Sequence, residues 1–123
     1  KRIFMTTTVS FEIAKLLFVK VGYIHSKKVY DNGKLKNKPS WGLSSISDYK
    51  DRFVYAPTIA EVVMRIHEKY GIWIGVNKNY TKAPTFWNCI TLSKSVVSTK
   101  PNTFNTAEEA YEAAVEYTLK ELI

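Results

Sequence analysis

The segment from Pro57 to Gly71 most constrains how this chain folds, because both ends of a helix are specified in it. Pro57 disfavours helix at the residue before it. Thr58 and Glu61 have the spacing of a capping box, in which each side chain satisfies a free backbone amide of the other residue. Gly71 readily adopts the left-handed conformation that ends a helix. Apolar residues between these signals recur at helical spacing, so the segment predicts an amphipathic helix.

Two further helices are predicted by similar signals. Ser10 is a candidate N-cap for a helix that extends to Val21, and Gly22 follows as a candidate end signal. Thr106 and Glu109 have capping-box spacing at the start of a third helix. That helix carries small alanines on its apolar face, which predicts close packing against a sheet or another helix.

Two hairpins are predicted between the helices. Asn-Gly at residues 32–33 is a strong hairpin signal, because both residues tolerate positive φ, and it joins residues 29–30 to residues 34–35. Residues 72–80 and 85–92 have the length and the apolar alternation of a second, longer hairpin.

Two parts of the chain are less constrained. Trp73 and Trp87 alternate with the apolar positions of their strands, so they lie on the opposite face of each strand. The sequence does not give the pairing register of the two strands, which determines whether the two tryptophans are in contact. Residues 36–57 are predicted to form a long irregular loop, because they contain Pro39, Gly42 and a serine cluster. Aromatic and aliphatic residues in this loop indicate that part of it packs back on the domain.

The resulting order, α-β-β-loop-α-β-β-α, predicts an α+β fold. We expect a single two-layer domain over residues 1–123, with antiparallel hairpins packed against three helices. A chain of 123 residues lies in the usual size range of one domain and can bury a core without disulfides. With 46% hydrophobic and 24% charged residues, the composition excludes an intrinsically disordered chain.

Cysteine usage and hydropathy indicate the compartment. Cys89 is the only cysteine, so the chain forms no internal disulfide, which favours a reducing environment. The apolar stretch over residues 9–21 is interrupted by charged residues, and no window approaches the ~18 apolar residues of a membrane span. No signal-peptide pattern is present. We therefore expect a soluble, cytoplasmic protein without membrane contact.

The net charge of +7 is unevenly distributed. Residues 1–55 carry a net +7, residues 56–100 carry +4, and residues 101–123 carry −4. A basic body therefore carries an acidic C-terminal segment, and such an asymmetry concerns association rather than fold. Because the two regions can complement each other between copies, we expect a homo-oligomer or a protein partner.

The sequence predicts no catalytic, metal-binding or cofactor-binding residues. His25 and His67 lie on different elements without a partner at ligand spacing, whereas a zinc site needs three or four ligands. Cys89 lies within a predicted strand, where a free thiol usually behaves as a small apolar side chain. A dyad of Cys89 with either histidine is the enzymatic alternative, and it requires the fold to bring them together in a cleft. No glycine-rich phosphate loop occurs.

The acidic residues of the third helix also have two interpretations. Glu108, Glu112 and Glu116 are spaced four residues apart, so they stack along one helix face. This spacing can mark a carboxylate site, but we favour a solvated outer face. Glu116 and Lys120 have the spacing of a helix ion pair.

The segment over residues 23–41 is the candidate binding region, because it combines lysines with aromatic residues. Lysines can neutralise phosphates while rings stack on bases. Lysine also protects exposed edge strands from aggregation, so both interpretations stay open. The candidate contacts for nucleic acid or another partner are Lys27, Lys28, Tyr30, Lys34, Lys36, Lys38 and Trp41.

Three stretches, residues 6–17, 55–74 and 104–123, together resemble a known group of sequences. They are similar to short hypothetical proteins of Bacteroides-type gut bacteria and their phages or mobile elements. Arg65 and Tyr70 stand where that group tends to carry an aromatic residue and a histidine. The resemblance implies a shared scaffold of helices and one strand, and it implies no catalytic residues.

These observations favour a non-enzymatic accessory protein of phage or mobile-element type, which acts by associating with another protein or with its own copy. The alternative is a small basic nucleic-acid-binding protein that uses residues 23–41. The position of the lysines discriminates between them, because nucleic-acid binding requires these lysines to cluster on one face of the fold.

Overall fold

A computed structural model of the chain describes residues 7–22, 26–37, 53–79, 85–101 and 103–123. The helices are α1 (Phe11–Lys20), α2 (Ile59–Tyr70) and α3 (Ala107–Tyr117), and a π-helical turn (Thr118–Leu122) continues α3. The strands are β1 (Lys28–Asp31), β2 (Lys34–Asn37), β3 (Phe53–Tyr55), β4 (Trp73–Asn79), β5 (Thr85–Thr91), β6 (Val96–Val97) and β7 (Thr103–Phe104). The structure confirms the α+β class and both predicted hairpins, and it adds three short strands, β3, β6 and β7.

Helix α2 begins and ends where the sequence specifies. Thr58 Oγ1 accepts a hydrogen bond from the Glu61 amide at 3.3 Å, and Glu61 Oε1 accepts one from the Thr58 amide at 2.8 Å. Gly71 ends the helix with a φ of 71°. The buried face of α2 consists of Ile59, Val62, Val63 and Ile66.

The other two helices also begin at their predicted caps. Ser10 Oγ accepts a hydrogen bond from the Ile13 amide at 3.3 Å. Thr106 Oγ1 accepts one from the Glu109 amide at 3.2 Å, which is the threonine half of the predicted capping box. These hydroxyls satisfy amides that would otherwise lack partners in the first turn.

The first sheet has the strand order β2-β1-β3 and is antiparallel. Asn32 and Gly33 form the turn between β1 and β2 with φ angles of 52° and 84°, as the hairpin signal predicts. Strand β3 falls within residues 36–57, for which the sequence predicts an irregular loop. Tyr55 of β3 is buried, so this end of the predicted loop packs back on the fold. Residues 38–52 of the loop lie outside the described residues.

The second sheet is built around β5. Strand β4 pairs antiparallel with all of β5, from Trp73 opposite Thr91 to Asn79 opposite Thr85. On its other side, β5 pairs with β6 at residues 90–91 and with β7 at residues 86–87. Strands β6 and β7 have two residues each, which is too short for a hydrophobic period to reveal them in the sequence.

The core lies between the second sheet and the helices. Ile74 and Ile90 are directly paired in the β4–β5 register and are 2% and 0% exposed. Asn88 lies on the same face of β5 as Ile90, and its Nδ2 donates to the Ala110 carbonyl of α3 at 3.1 Å. The helices therefore cover this face of the sheet.

Two hydrogen bonds tie the C-terminal ends of α1 and α2 together. Lys69 Nζ donates to the Val21 carbonyl at 2.9 Å, and the Tyr70 hydroxyl donates to the Lys20 carbonyl at 3.3 Å. Both acceptors are at the C-terminal end of α1, where the helix leaves carbonyl groups without intrahelical partners.

Within the described ranges, no helix is long and apolar enough to cross a membrane. The longest continuous helical run, α3 with its π-helical turn, covers residues 107–122, whereas a membrane span needs about 20 residues.

Candidate functional site

Strand alternation places the predicted lysines of the β1–β2 hairpin on two different faces. Lys28 lies on the face shared with Tyr30, whereas Lys34 and Lys36 lie on the face shared with Asp31. All three lysines are exposed. The described lysines of the hairpin therefore point in two directions. Phosphate binding by this segment would require them to form a single basic face.

Tyr30 is held by the fold and is not presented as a stacking ring. Its hydroxyl donates to the Val9 carbonyl at 2.6 Å, and its ring centroid lies 5.3 Å from that of Phe11. Burial raises the pKa of Tyr30, and the nearby carboxylates of Glu112 and Glu12 raise it further. The hydroxyl is thus a stable donor at neutral pH, and the residue joins the first sheet to the start of α1.

The remaining predicted contacts are distributed as follows. Lys36 Nζ donates to Asp31 Oδ2 at 3.2 Å, so this cation is paired within the hairpin. Lys27 precedes β1 and is exposed. Lys38 and Trp41 lie outside the described residues. The segment over residues 23–41 stays a predicted binding region.

Cys89 and His67 each have a different neighbour. Cys89 is half-buried on β5, and its Sγ lies 4.0 Å from Thr91 Oγ1. His67 packs edge-on against Trp73, with the ring centroids 4.4 Å apart. His25 lies outside the described residues. Among those that are described, no group of three or more His, Cys, Asp or Glu could hold a metal ion.

Glu112 departs from the solvated helix face predicted for Glu108, Glu112 and Glu116. It is half-buried, and its Oε2 accepts a hydrogen bond from the Ser10 amide at 3.0 Å. Burial raises the pKa of Glu112, an effect that the Ser10 amide opposes and the charge of Glu116 reinforces. Glu112 therefore joins α3 to the start of α1, and the prediction is wrong for this residue. Glu116 pairs with Lys120 at 2.9 Å, as the spacing predicts.

A groove of about 450 Å³ lies between α3 and the segment after β6. Asn88 fixes its wall, because its Oδ1 accepts from the Thr99 amide at 3.1 Å and its Nδ2 donates to Thr99 Oγ1 at 2.8 Å. The charged side chains that line the groove are Lys100, Glu116, Lys120 and Glu121. Both signs of charge are present, so the lining does not select one ligand class.

The second sheet has a face opposite the one that the described helices cover, and we call it the open face. In the β4–β5 register, Trp73 pairs with Thr91 and Asn77 pairs with Trp87, so both tryptophans lie on this face near opposite ends. Residues at the alternate positions point towards the helices. The open face consists of Trp73, Gly75, Asn77, Thr85, Trp87, Cys89, Thr91, Val96 and Thr103.

Both tryptophans of the open face are accessible to a ligand. Trp73 is 45% exposed and Trp87 is 36% exposed. The register separates them by four residues, or about 13 Å along the strands, so the two rings do not meet across the ladder. The Trp73 ring also packs edge-on against His67 of α2, so this helix contacts the open face at that end.

The middle of the open face carries only small side chains. Gly75 is paired with Cys89, and this pair lies between the two tryptophans. A methyl group placed on the Gly75 Cα would meet no atom within 4 Å. Gly75 and Cys89 therefore form a shallow strip between the two rings, which we call the low strip.

The two sides of the second sheet differ in charge. Residues 69–107, which include β4 to β7, contain five lysines and no Asp or Glu. Residues 108–123, which include most of α3, contain five glutamates and one lysine. Because α3 packs on the face opposite the open face, its acidic side chains lie behind the sheet, whereas the nine residues of the open face are uncharged.

The contacts predicted from the sequence include no residue of the open face. Two signals in the sequence point to it. The first signal is that Trp73 and Trp87 occupy strand positions that alternate with the core positions. The second is the absence of acidic residues over residues 69–107. Neither signal gives the register, which places both rings on one face and requires the folded sheet.

The fold and this surface define a small α+β protein with exposed tryptophans on one side of an antiparallel sheet. No family model, curated protein or solved structure matches the chain. The resemblance to proteins of Bacteroides-type bacteria and their phages therefore stays a prediction.

Proposed function

We propose that this protein is a non-enzymatic accessory protein that binds another macromolecule through the open face. The exposure of both Trp73 and Trp87 on one face carries this proposal. Tryptophan is enriched among the residues that contribute most to binding, because one ring buries a large apolar area at a small entropic cost. Two such rings on one exposed surface are typical of a contact site.

The residues around the tryptophans support the same function. Asn77, Thr91 and Thr103 are exposed on the open face and provide hydrogen-bonding groups beside the rings. Binding surfaces combine aromatic anchors with polar side chains in this way. The catalytic alternative gains no comparable support, since Cys89 and His67 contact Thr91 and Trp73 in the structure.

The cellular setting belongs to the same proposal. Cys89 is the only cysteine and is half-buried, which suits a reducing compartment such as the cytoplasm. A phage or mobile-element origin, as the resemblance implies, is compatible with a small accessory binding protein.

Site-specific photo-crosslinking in the source cells tests this function and captures the partner whatever its identity. A photoreactive amino acid replaces Thr91, which is exposed on the open face, or Glu68, which is exposed on α2. Neither side chain is part of the core, so both variants should fold. We expect covalent adducts from position 91 and few or none from position 68.

The adducts are then divided by treatment with nuclease or protease, which identifies the class of partner. Adducts at twice the mass of the chain identify a second copy as the partner. This result would also support the proposed function, because the contact is made through the open face. An absence of adducts at position 91 in the folded protein, or equal yields at both positions, would contradict the proposed function.

A further inference from the structure

We propose that the ligand of the open face is single-stranded nucleic acid, with bases stacked on Trp73 and Trp87. This inference rests on the proposed function, because it names the partner of the same surface. The ligand binds with its bases towards the sheet and a phosphate towards Lys94, at the end of the open face that carries Trp73.

The rings provide the first argument. Aromatic side chains on an exposed β-sheet stack the unpaired bases of single strands, and every base has a flat face that can take part. Trp73 and Trp87 are the accessible rings of the open face, at 45% and 36% exposure. In a duplex the base faces are already stacked on one another, so this surface selects single strands.

The low strip between the rings provides the second argument. Gly75 and Cys89 occupy the middle of the open face, and the space above Gly75 is empty to 4 Å. A chain that stacks one base on each tryptophan must cross this strip. A large side chain at position 75 would block its path.

Charge provides the third argument. Lys94 is exposed in the bend after Thr91, the residue paired with Trp73. This end of the open face therefore combines one tryptophan with one lysine on the adjoining chain, which provides a stacking ring and a phosphate contact. Residues 69–107 contain no Asp or Glu that would repel the phosphates.

A second copy of the chain fits the open face less well than a polyanion does. Val96 is the one aliphatic residue among the nine that form the open face. Threonine and asparagine side chains make up much of the remainder, whereas sheets that pack face to face bury mainly apolar side chains.

Fluorescence anisotropy with labelled oligothymidylate of about eight nucleotides, within the usual site size of single-strand-binding domains, tests the inference on the full chain. We expect binding at ~50 mM salt, where phosphate contacts are strong. Trp73→Ala and Trp87→Ala should each weaken binding roughly 5- to 150-fold, the range for loss of one stacked base. Trp73→Phe and Trp87→Phe keep a ring and should recover most of the affinity.

Two pairs of variants separate binding at the open face from binding at the β1–β2 hairpin. Gly75→Glu and Gly75→Lys add side chains of similar length and opposite charge in the middle of the strip. We expect the Glu variant to bind much more weakly than the Lys variant. Lys94→Ala should reduce the salt dependence by about 0.7 in log–log slope, whereas Lys34→Ala on the β1–β2 hairpin should leave it unchanged.

Three results would overturn the inference. The first is no binding of any single strand at ~50 mM salt, the condition most favourable to phosphate contacts. The second is equal binding of an abasic oligonucleotide or a duplex of the same length, which would show that charge alone is responsible. The third is binding that the tryptophan variants leave unchanged while Lys34→Ala abolishes it. In each case a nuclease-resistant protein adduct at position 91 would still support the proposed function, so the two failures are distinguishable.

Discussion

Gly75 and Cys89 are directly paired across the β4–β5 ladder, and this pair separates Trp73 from Trp87 on the open face. The helix-covered side of the same strands has no such gap, because Ile74 and Ile90 are paired and buried there. The same alternation thus builds a filled core on one side and a shallow strip between two rings on the other.

Gly75→Val should stabilise the fold. Glycine weakens a strand interior, and β-branched residues favour it on a scale that spans about 1 kcal/mol. Since a Cβ at this position meets no atom within 4 Å, we expect the free energy of unfolding to rise by roughly 0.5–1 kcal/mol. Urea titration measures this change. A loss of stability would contradict the open space above Gly75.

Gly71→Ala should have the opposite effect. Gly71 has a φ of 71°, a conformation in which a Cβ costs roughly 1–2 kcal/mol. Gly75→Ala is the matched control, because Gly75 has no such positive φ. We expect thermal unfolding to show a lower midpoint for Gly71→Ala only. Equal midpoints for the two variants would show that the left-handed end of α2 is not required.

Asn88→Ala should be among the most destabilising substitutions in the second sheet. Asn88 is fully buried, and its side chain bonds Thr99 and the Ala110 carbonyl. Its removal leaves buried polar groups without partners, so we expect a loss of about 2–4 kcal/mol in urea unfolding. Asn77→Ala, on the exposed side of β4, should change stability by less than about 0.5 kcal/mol. A similar loss in both variants would mean that the buried network does not hold the fold.

Glu112→Gln should change the pH dependence of stability. Because burial raises the pKa of Glu112 above its usual 4.5, the folded state keeps this proton to a higher pH than the unfolded state does. Between the two pKa values the folded chain binds more protons, so raising the pH lowers stability in this window. Glutamine can still accept from the Ser10 amide and cannot ionise.

We therefore expect the stability of Glu112→Gln, relative to the unmodified protein, to improve as the pH rises from about 4 to 7, through and above the usual pKa of a glutamate. Thermal unfolding at intervals across this range measures the difference. A constant difference, or one that falls with pH, would contradict a raised pKa at Glu112.

The sequence predicts the elements whose ends carry a local chemical signal. Thr58, Glu61 and Gly71 specify α2, and Ser10 and Thr106 specify the starts of α1 and α3. A cap depends on residues three or four positions apart, so the sequence contains the whole interaction. Strands β3 and β7 are held by pairing with strands that are distant in the chain, and β6 pairs with the end of β5 that precedes it. Strands of two or three residues contain no period of their own.

The position of Glu112 and the open face depend on tertiary structure in the same way. Helical spacing predicts the helix face on which Glu112 lies. Its hydrogen-bond donor, the Ser10 amide, is close in space but 102 residues away in the chain. The alternation of side chains along each strand indicates that Trp73 and Trp87 point away from the core. The β4–β5 register then puts them on one surface with Gly75 between them, and register is a property of the folded pair.

Two-dimensional NMR of the 15N-labelled protein, titrated with a short single-stranded oligonucleotide, tests whether the open face binds single-stranded nucleic acid. The indole N–H signals of Trp73 and Trp87 report on the open face, and the backbone amides of residues 28–36 report on the β1–β2 hairpin. We predict large shifts for both indole signals and for the Gly75 amide, with small shifts in the hairpin. Shifts confined to residues 28–36, or no shifts at any oligonucleotide concentration, would contradict the claim that the open face binds single-stranded nucleic acid.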